Sequence, residues 1–212
     1  MKKLTISLLF LLFVVAAKGQ THRLLFHTTY GDFKVVLYDF TPKHRDLILK
    51  AIDNQVYKDA LFNRIISNFV VQGGEHDIDI EQREAQDLSN RKLRLAPEFD
   101  DRAYHKIGAL GAGRDSNTEK ASFLNQIYFV VGKPVSAHDL NQLEEKKGIK
   151  YSNEQRSDYL KSGGQPRLDH DFTVFGEIYD GLEVILKISK VKTDAKDYPL
   201  QEVRFELSEI KD

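Results

Sequence analysis

The sequence predicts a mainly β protein: a closed antiparallel barrel with two helices covering its ends and one inserted helical segment. Three observations carry that expectation. The elements run hairpin, helix, several strands, helix, final strand, with no internal repeat and none of the strand–helix alternation that builds a parallel sheet. With 212 residues, 41% of them hydrophobic, the chain is long enough for one well-packed core and short for two. Finally, Val203, Phe205 and Leu207 alternate with Arg204, Glu206 and Ser208, which is a strand with one dry and one wet face.

Arg23 to Thr29 and Phe33 to Tyr38 are rich in Leu, Phe, Val and Thr, and Tyr30-Gly31-Asp32 supplies turn residues, so they form a β-hairpin. Thr41-Pro42 places an N-cap before a proline at the first helical position, and Leu47, Ile48, Ala51 and Ile52 recur at helical spacing. Leu61 to Ile66 and Phe69 to Gln72 read as two strands ended by Gly73-Gly74. The polar stretch from Glu75 to Lys106 reads as a surface excursion with at most a short helix around Ile80 to Leu88. Gly108 to Ala112 and Gln126 to Val131 are strands joined by the polar loop Arg114 to Leu124. In an insert at about 133–165, Ser136 with Asp139 and Ser152 with Gln155 have capping-box spacing, which predicts two short helices packed as a flap. Phe172 to Phe175 is a further strand, and Leu182, Val184, Ile185 and Ile188 mark the second covering helix.

Composition removes several classes of chemistry. Without cysteine there is no disulfide, thiolate nucleophile or Cys-type metal site. Thirty-one basic against 32 acidic residues leave no positive field to gather nucleic acid. Met1-Lys2-Lys3, the apolar run Leu4 to Ala17 and the small residues of Ala17-Lys18-Gly19 read as a secretory leader cleaved after Gly19. The mature chain, 20–212, would then carry no membrane span and act as a soluble monomer in the periplasm or outside the cell. Loss of Lys2, Lys3 and Lys18 would leave 28 basic against 32 acidic residues, a net charge of −4.

The most informative segment is Phe62-Asn63-Arg64-Ile65-Ile66-Ser67-Asn68-Phe69-Val70-Val71-Gln72-Gly73-Gly74. It places Arg64 in a β-rich apolar stretch, where a guanidinium needs a partner or a ligand. Period-two alternation puts Phe62, Arg64 and Ile66 on one face and, after the Ser67-Asn68 turn, Val70 and Gln72 on one face. Taken alone, the segment leaves two readings open, a structural arginine paired with a carboxylate or a small recognition site. Glu75-His76-Asp77 and Asp169-His170-Asp171 group a histidine with carboxylates but lack a second histidine at ligand spacing, so they read as solvated loops and no metal is expected. Glu144-Glu145-Lys146-Lys147 reads as a solvated helical face.

The whole set resembles the cyclophilin-type peptidyl-prolyl cis/trans isomerases. It runs Phe62-x-Arg64-x-Ile66-x-x-Phe69-x-x-Gln72-Gly73-Gly74, then Gly108-x-Leu110, Gln126-x-Tyr128, Thr173-Val174-Phe175-Gly176 and Gly181-Leu182-x-Val184. The flanks His27-Thr28-Thr29-Tyr30-Gly31-Asp32, Asp39-Phe40-Thr41-Pro42-Lys43 and Tyr57-Lys58-Asp59 resemble that family too, and an exported member with an insert here looks bacterial. The resemblance implies a catalytic Arg64, with Gln72 holding a substrate carbonyl or fixing the arginine. It implies a proline pocket of Phe69, Val70, Tyr128 and Leu168, with Phe172 where the family often has His or Tyr. It further implies peptide contacts at Gly113, Arg114 and Gln126, and no cofactor.

This chain departs from the family at several places. Asn63 replaces a common His, Ser67-Asn68 replaces Pro-Gly, and Val70 replaces a frequent Met. Gly113-Arg114 stands for Ala-Asn, Phe123-Leu124-Asn125 for a run of small residues, and Arg167 for a Trp of some members. Asp169-His170-Asp171 replaces an Asp-Gly turn. The expected activity is prolyl isomerisation on proline-containing segments of exported proteins. The alternatives are a catalytically weak proline-peptide binding module or chaperone, and a scaffold for the insert.

Overall fold

Thr28 bonds on both sides of a tight turn, its hydroxyl accepting from the Tyr30 amide at 3.0 Å and donating to the Gly31 carbonyl at 2.7 Å. That turn closes the hairpin of β1 (Arg23–Thr28) and β2 (Gly31–Leu37). The structure, a computed structural model, describes residues 21–89 and 92–211. The expected leader, Met1 to Gly19, lies outside the described residues. Helix α1 (Pro42–Asp53) starts at Pro42 as expected, but the Thr41 hydroxyl donates back to the Tyr38 carbonyl instead of capping it. The cap comes from far along the chain: the Glu98 carboxylate accepts from the backbone N–H of Lys43 and His44 at 3.0 and 2.9 Å.

The remaining elements are β3 (Ala60–Leu61), β4 (Arg64–Ile66), β5 (Val70–Gly74), α2 (Asp77–Gln86), β6 (Ala109–Ala112), β7 (Gln126–Val130), α3 (Ala137–Lys147), α4 (Asn153–Ser162), a 3₁₀ turn (Pro166–Leu168), β8 (Val174–Asp180), α5 (Leu182–Ile188) and β9 (Arg204–Glu209). The strands form one antiparallel sheet in the order β3-β9-β1-β2-β8-β6-β7-β5-β4. The sheet curls into a half-barrel, which corrects the expected closed barrel. Its two edges, β3 and β4, are consecutive pieces of one chain run and cannot pair side by side. Phe62 and Asn63 step between them, the Phe62 N–H bonding to Val203 and the Asn63 N–H to Gln72.

That step also corrects the expected face pattern. Phe62 and Ile65 both lie in the main core, while Arg64 and Ile66 are on the other face and half-buried. A single uninterrupted strand would have kept Phe62 with Arg64. The core packs Phe26, Phe33 and Phe129 in edge-on and stacked contacts, with Phe62 stacked on Phe205 at 4.4 Å. Ile48 and Ala51 of α1 and Val184, Ile185 and Ile188 of α5 cover it. On the opposite face of the sheet a smaller cluster gathers Val70, Ala109, Tyr128, Val130 and Val174.

The stretch from Glu75 to Lys106 is more than a surface excursion. Ile80 of α2 and His105 are fully buried, and Leu95 bridges to Ser122. In the insert both capping boxes form as the spacing predicts, and Gly148 ends α3 in the left-handed region. Leu140, Tyr151 and Tyr159 pack with Tyr104 into a third apolar cluster, so the insert is bound to the body of the fold. Among the described residues no helix is long and apolar enough to cross a membrane.

Candidate active site

One row of paired residues runs across four strands on the face away from the main core. Arg64 of β4 faces Gln72 of β5, Gln72 faces Tyr128 of β7, and Tyr128 faces Gly111 of β6. The neighbouring positions Ile65, Val71, Phe129 and Leu110 point into the core, as the two-residue period of a strand requires. Asn68, in the left-handed region at φ 58°, makes the tight β4–β5 turn and so sets Arg64 opposite Gln72. Asn and Gly are the residues that tolerate this conformation best, which explains how Ser67-Asn68 can replace Pro-Gly.

The row floors a cavity of about 410 Å³. All ten residues singled out from the sequence line it: Arg64, Phe69, Val70, Gln72, Gly113, Arg114, Gln126, Tyr128, Leu168 and Phe172. Arg64 is not turned inward. Its side chain is 38% exposed, and its ion-pair partner is Asp197, 3.7 Å from Nε and equally exposed, which is a weak surface pair. Among the described residues the Gln72 amide has no side-chain hydrogen-bond partner, although the residue is buried. A guanidinium held only by that exposed pair and an amide thus stand side by side, with the apolar surfaces of Phe69, Val70, Tyr128, Leu168 and Phe172 beside them.

Tyr128 lies flat across the sheet because Gly111 has no side chain, and a methyl group at 111 would run into the Tyr128 ring and hydroxyl. Its hydroxyl sits 2.8 Å from His105 Nε2, and the Phe172 ring meets it edge-on at 6.1 Å. Burial, then the charge of Asp169, pushes the Tyr128 phenol well above its ordinary range, so it remains a hydrogen-bond donor. Leu168 and Phe172 come from the 3₁₀ turn and the loop after it, in which His170 takes the left-handed conformation that glycine holds in an Asp-Gly turn.

Two arginines stack on pocket rings. Arg167, outside the cavity lining, lies over the Phe69 ring at 4.5 Å, a planar cation at the position where some members place an indole. Arg114 lies over Phe172 at 4.5 Å, and its Nε donates to the Asp171 carbonyl at 2.6 Å. Gln126 is buried, and its amide donates to the Asp77 carboxylate at 2.5 Å and the Glu75 carbonyl at 3.2 Å. A side chain at 113 would meet that amide, which accounts for glycine there.

Sequence reasoning missed the far wall. Ile80, Glu81 and Glu84 of α2, with Lys92, Arg94 and Asp115, close that end against Phe123. Arg94 lies 4.4 Å over the Phe123 ring and bonds Glu84 and Asp115. The signal available was Ile80 alone in a polar stretch, too little to show which way a short helix faces. The carboxylate–histidine groups prove structural rather than solvated. Glu75 pairs with Arg83, His76 caps α2 by accepting from the Ile78 N–H at 3.1 Å, and Asp169 is only 3% exposed. The run at 144–147 is a solvated face only in part: Glu145 and Lys146 are exposed, whereas Glu144 is buried and bonds Lys150, Arg156 and the Tyr151 N–H.

A curled antiparallel half-barrel with its cleft on the face away from the core is a cyclophilin-like architecture. The family model described as "Cyclophilin type peptidyl-prolyl cis-trans isomerase/CLD" matches residues 23–209, and the chain therefore belongs to that family. A protein of Staphylococcus saprophyticus named "Putative peptidyl-prolyl cis-trans isomerase" is 28% identical over 197 residues, covering 91% of this chain and 93% of its own. One of the same name in Staphylococcus aureus is 26% identical over 194 residues, covering 90% and 92%. Among solved structures, a Cryptosporidium parvum cyclophilin type peptidyl-prolyl cis-trans isomerase superposes with a TM-score of 0.64 at 16% identity, over 91% of this chain and 99% of that one. A second structure of that protein, in the presence of the dipeptide Ala-Pro, has a TM-score of 0.62 at 18% identity, over 91% of this chain and all of that one. These structural likenesses concern the fold.

Proposed function

We propose that this chain is an exported prolyl isomerase that turns X-Pro bonds in proline-containing segments of other exported proteins. The carrying observation is the Arg64–Gln72 pair, its guanidinium held only by the exposed Asp197, beside an apolar hollow. Rotation about an X-Pro bond meets a barrier of ~18–20 kcal/mol because amide resonance is lost midway. In the twisted state the prolyl nitrogen regains its lone pair, and a guanidinium N–H donated to it favours that state over either planar isomer. Phe69, Val70, Tyr128, Leu168 and Phe172 hold the ring still while the other side of the bond turns, and Gln72 holds the neighbouring carbonyl. Gly113, Arg114 and Gln126 border the peptide path. Family membership and the Ala-Pro dipeptide used with the parasite cyclophilin support this reading. The basic start and apolar run of Met1 to Gly19 support export.

The test is a coupled proteolysis assay on a Xaa-Pro peptide with wild type and Arg64→Ala. Loss of one transition-state donor lowers kcat/KM on the order of 10²-fold with the fold retained. Equal rates for the two proteins overturn the reading, and peptide binding without turnover in the wild type identifies a binding module instead. N-terminal sequencing of protein recovered outside the cytoplasm should begin at Gln20, and an intact Met1 there removes the cleavage assignment.

A further inference from the structure

We propose that the helical insert is a built-in support that sets the shape of the pocket, with Tyr159 and Lys147 as positioning residues for Tyr128 and Leu168. This rests on reading the cavity as the proline site. The connection is a run of hydrogen bonds through the Asp169 carboxylate. Tyr159 of α4 donates its hydroxyl to Oδ2 at 2.6 Å. His105 donates its backbone N–H to Oδ1 at 2.9 Å and places its Nδ1 2.7 Å from the same atom. A carboxylate only accepts, so Nδ1 carries the proton and Nε2 is left to accept from the Tyr128 hydroxyl at 2.8 Å. The orientation of a pocket-floor ring is thereby tied, through two intervening side chains, to a helix outside the half-barrel.

Lys147 ties down the other part of the pocket. This last residue of α3 is 15% exposed and reaches the carbonyls of Arg167 and Asp169 at 2.7 and 2.6 Å and the Asp171 carboxylate at 2.7 Å. An ammonium has three donors, and all three are used on one short loop. That loop carries Leu168 and Phe172 into the cavity. Tyr151, at the start of the second half of the insert, donates to the Pro166 carbonyl at 3.1 Å. Burial first, and Asp169 second, raises the pKa of Tyr151 and Tyr159, which keeps both hydroxyls donating.

A pocket that grips the ring alike in both planar isomers and in the twisted state contributes uniform binding, so disturbing its support changes KM and leaves kcat. Tyr159→Phe and Lys147→Met, assayed on a chromogenic Ala-Ala-Pro-Phe anilide, should raise KM about three- to tenfold with kcat unchanged within twofold. The exposed Lys161→Ala on α4 should change neither. Alongside, NMR of ¹⁵N-histidine- and ¹³C-methyl-labelled protein should show the His105 Nδ1–H tautomer in the wild type. The His105 and Leu168 resonances should move in Tyr159→Phe and Lys147→Met but not in Lys161→Ala. If the wild type proves inactive, the isomerase reading falls, and movement of these resonances together with weakened binding of an Ala-Pro peptide still supports the insert's role. An unchanged KM or peptide affinity together with unmoved resonances in both variants, whatever the thermal stability, overturns the inference. Should Tyr159→Phe fail to fold, Lys147→Met decides by the same readouts.

Discussion

Gly111 shows how much of the site depends on an atom that is missing. Its backbone lies under the Tyr128 ring, and any side chain there displaces the ring from the floor of the cavity. Gly111→Ala should therefore cost about 1–3 kcal/mol in stability through overpacking and weaken proline-peptide binding by calorimetry more than it changes the circular dichroism of the sheet. Unaltered binding would mean that Tyr128 is not a pocket wall. The turn that sets Arg64 opposite Gln72 was legible in the segment itself, whereas the apolar neighbours Tyr128, Leu168 and Phe172 were legible only through the resemblance to the family. The commitment of Gln126 to Asp77, and of Arg114 to the Asp171 carbonyl, was not legible, since the partners stand 49 and 57 residues away.

At the scale of elements, local signals were sufficient where the chain bonds to itself at short range. Both capping boxes of the insert and the Gly148 stop follow from hydrogen bonds spanning three or four residues. Ser152→Ala should remove one cap of α4, costing about 1 kcal/mol and lowering the midpoint of thermal unfolding by about 2–4 °C. No change in that midpoint would show that packing of Tyr151 and Tyr159 alone holds the helix. The same local logic failed at α1, where Thr41 has the residue type of a cap but Glu98 does the capping. It failed again at Phe62, whose step from β9 to β5 puts it on the core face with Ile65, opposite Arg64.

At the scale of the whole molecule, the Glu98 contact joins α1, the long segment before β6 and the loop before β7. His44 lies fully inside, with Nδ1 2.7 Å from Glu98 and Nε2 3.1 Å from the Ser122 hydroxyl. Burial lowers the His44 pKa below 6.5 against the pull of Glu98. Burial opposes ionisation of Glu98, but the bonds from His44 and the α1 N–H groups outweigh it and hold the carboxylate below 4.5. The sign is the same for both groups, because the unfolded chain takes up each proton at a higher pH than the folded one. Stability is full above 6.5, falls as unfolded His44 protonates, and falls again below 4.5. Urea midpoints measured from pH 7 to 3 should decline in that order, and Glu98→Gln should flatten the lower limb. A midpoint that rises on acidification from pH 7 to 5 would contradict the assignment.

From the sequence by itself came the element order and the insert's two helices, which depend on residue type at short, regular spacing that the chain carries with it before it folds, and, through the resemblance of motifs spread along the chain, the family and the cleft residues. Only the tertiary structure decided that the sheet stays a half-barrel, that α2 and Arg94 wall the far end, and that Tyr159, Asp169, His105 and Tyr128 form one connected set. Those features are meetings between segments far apart along the chain, and no local preference encodes which distant carboxylate a given donor will find.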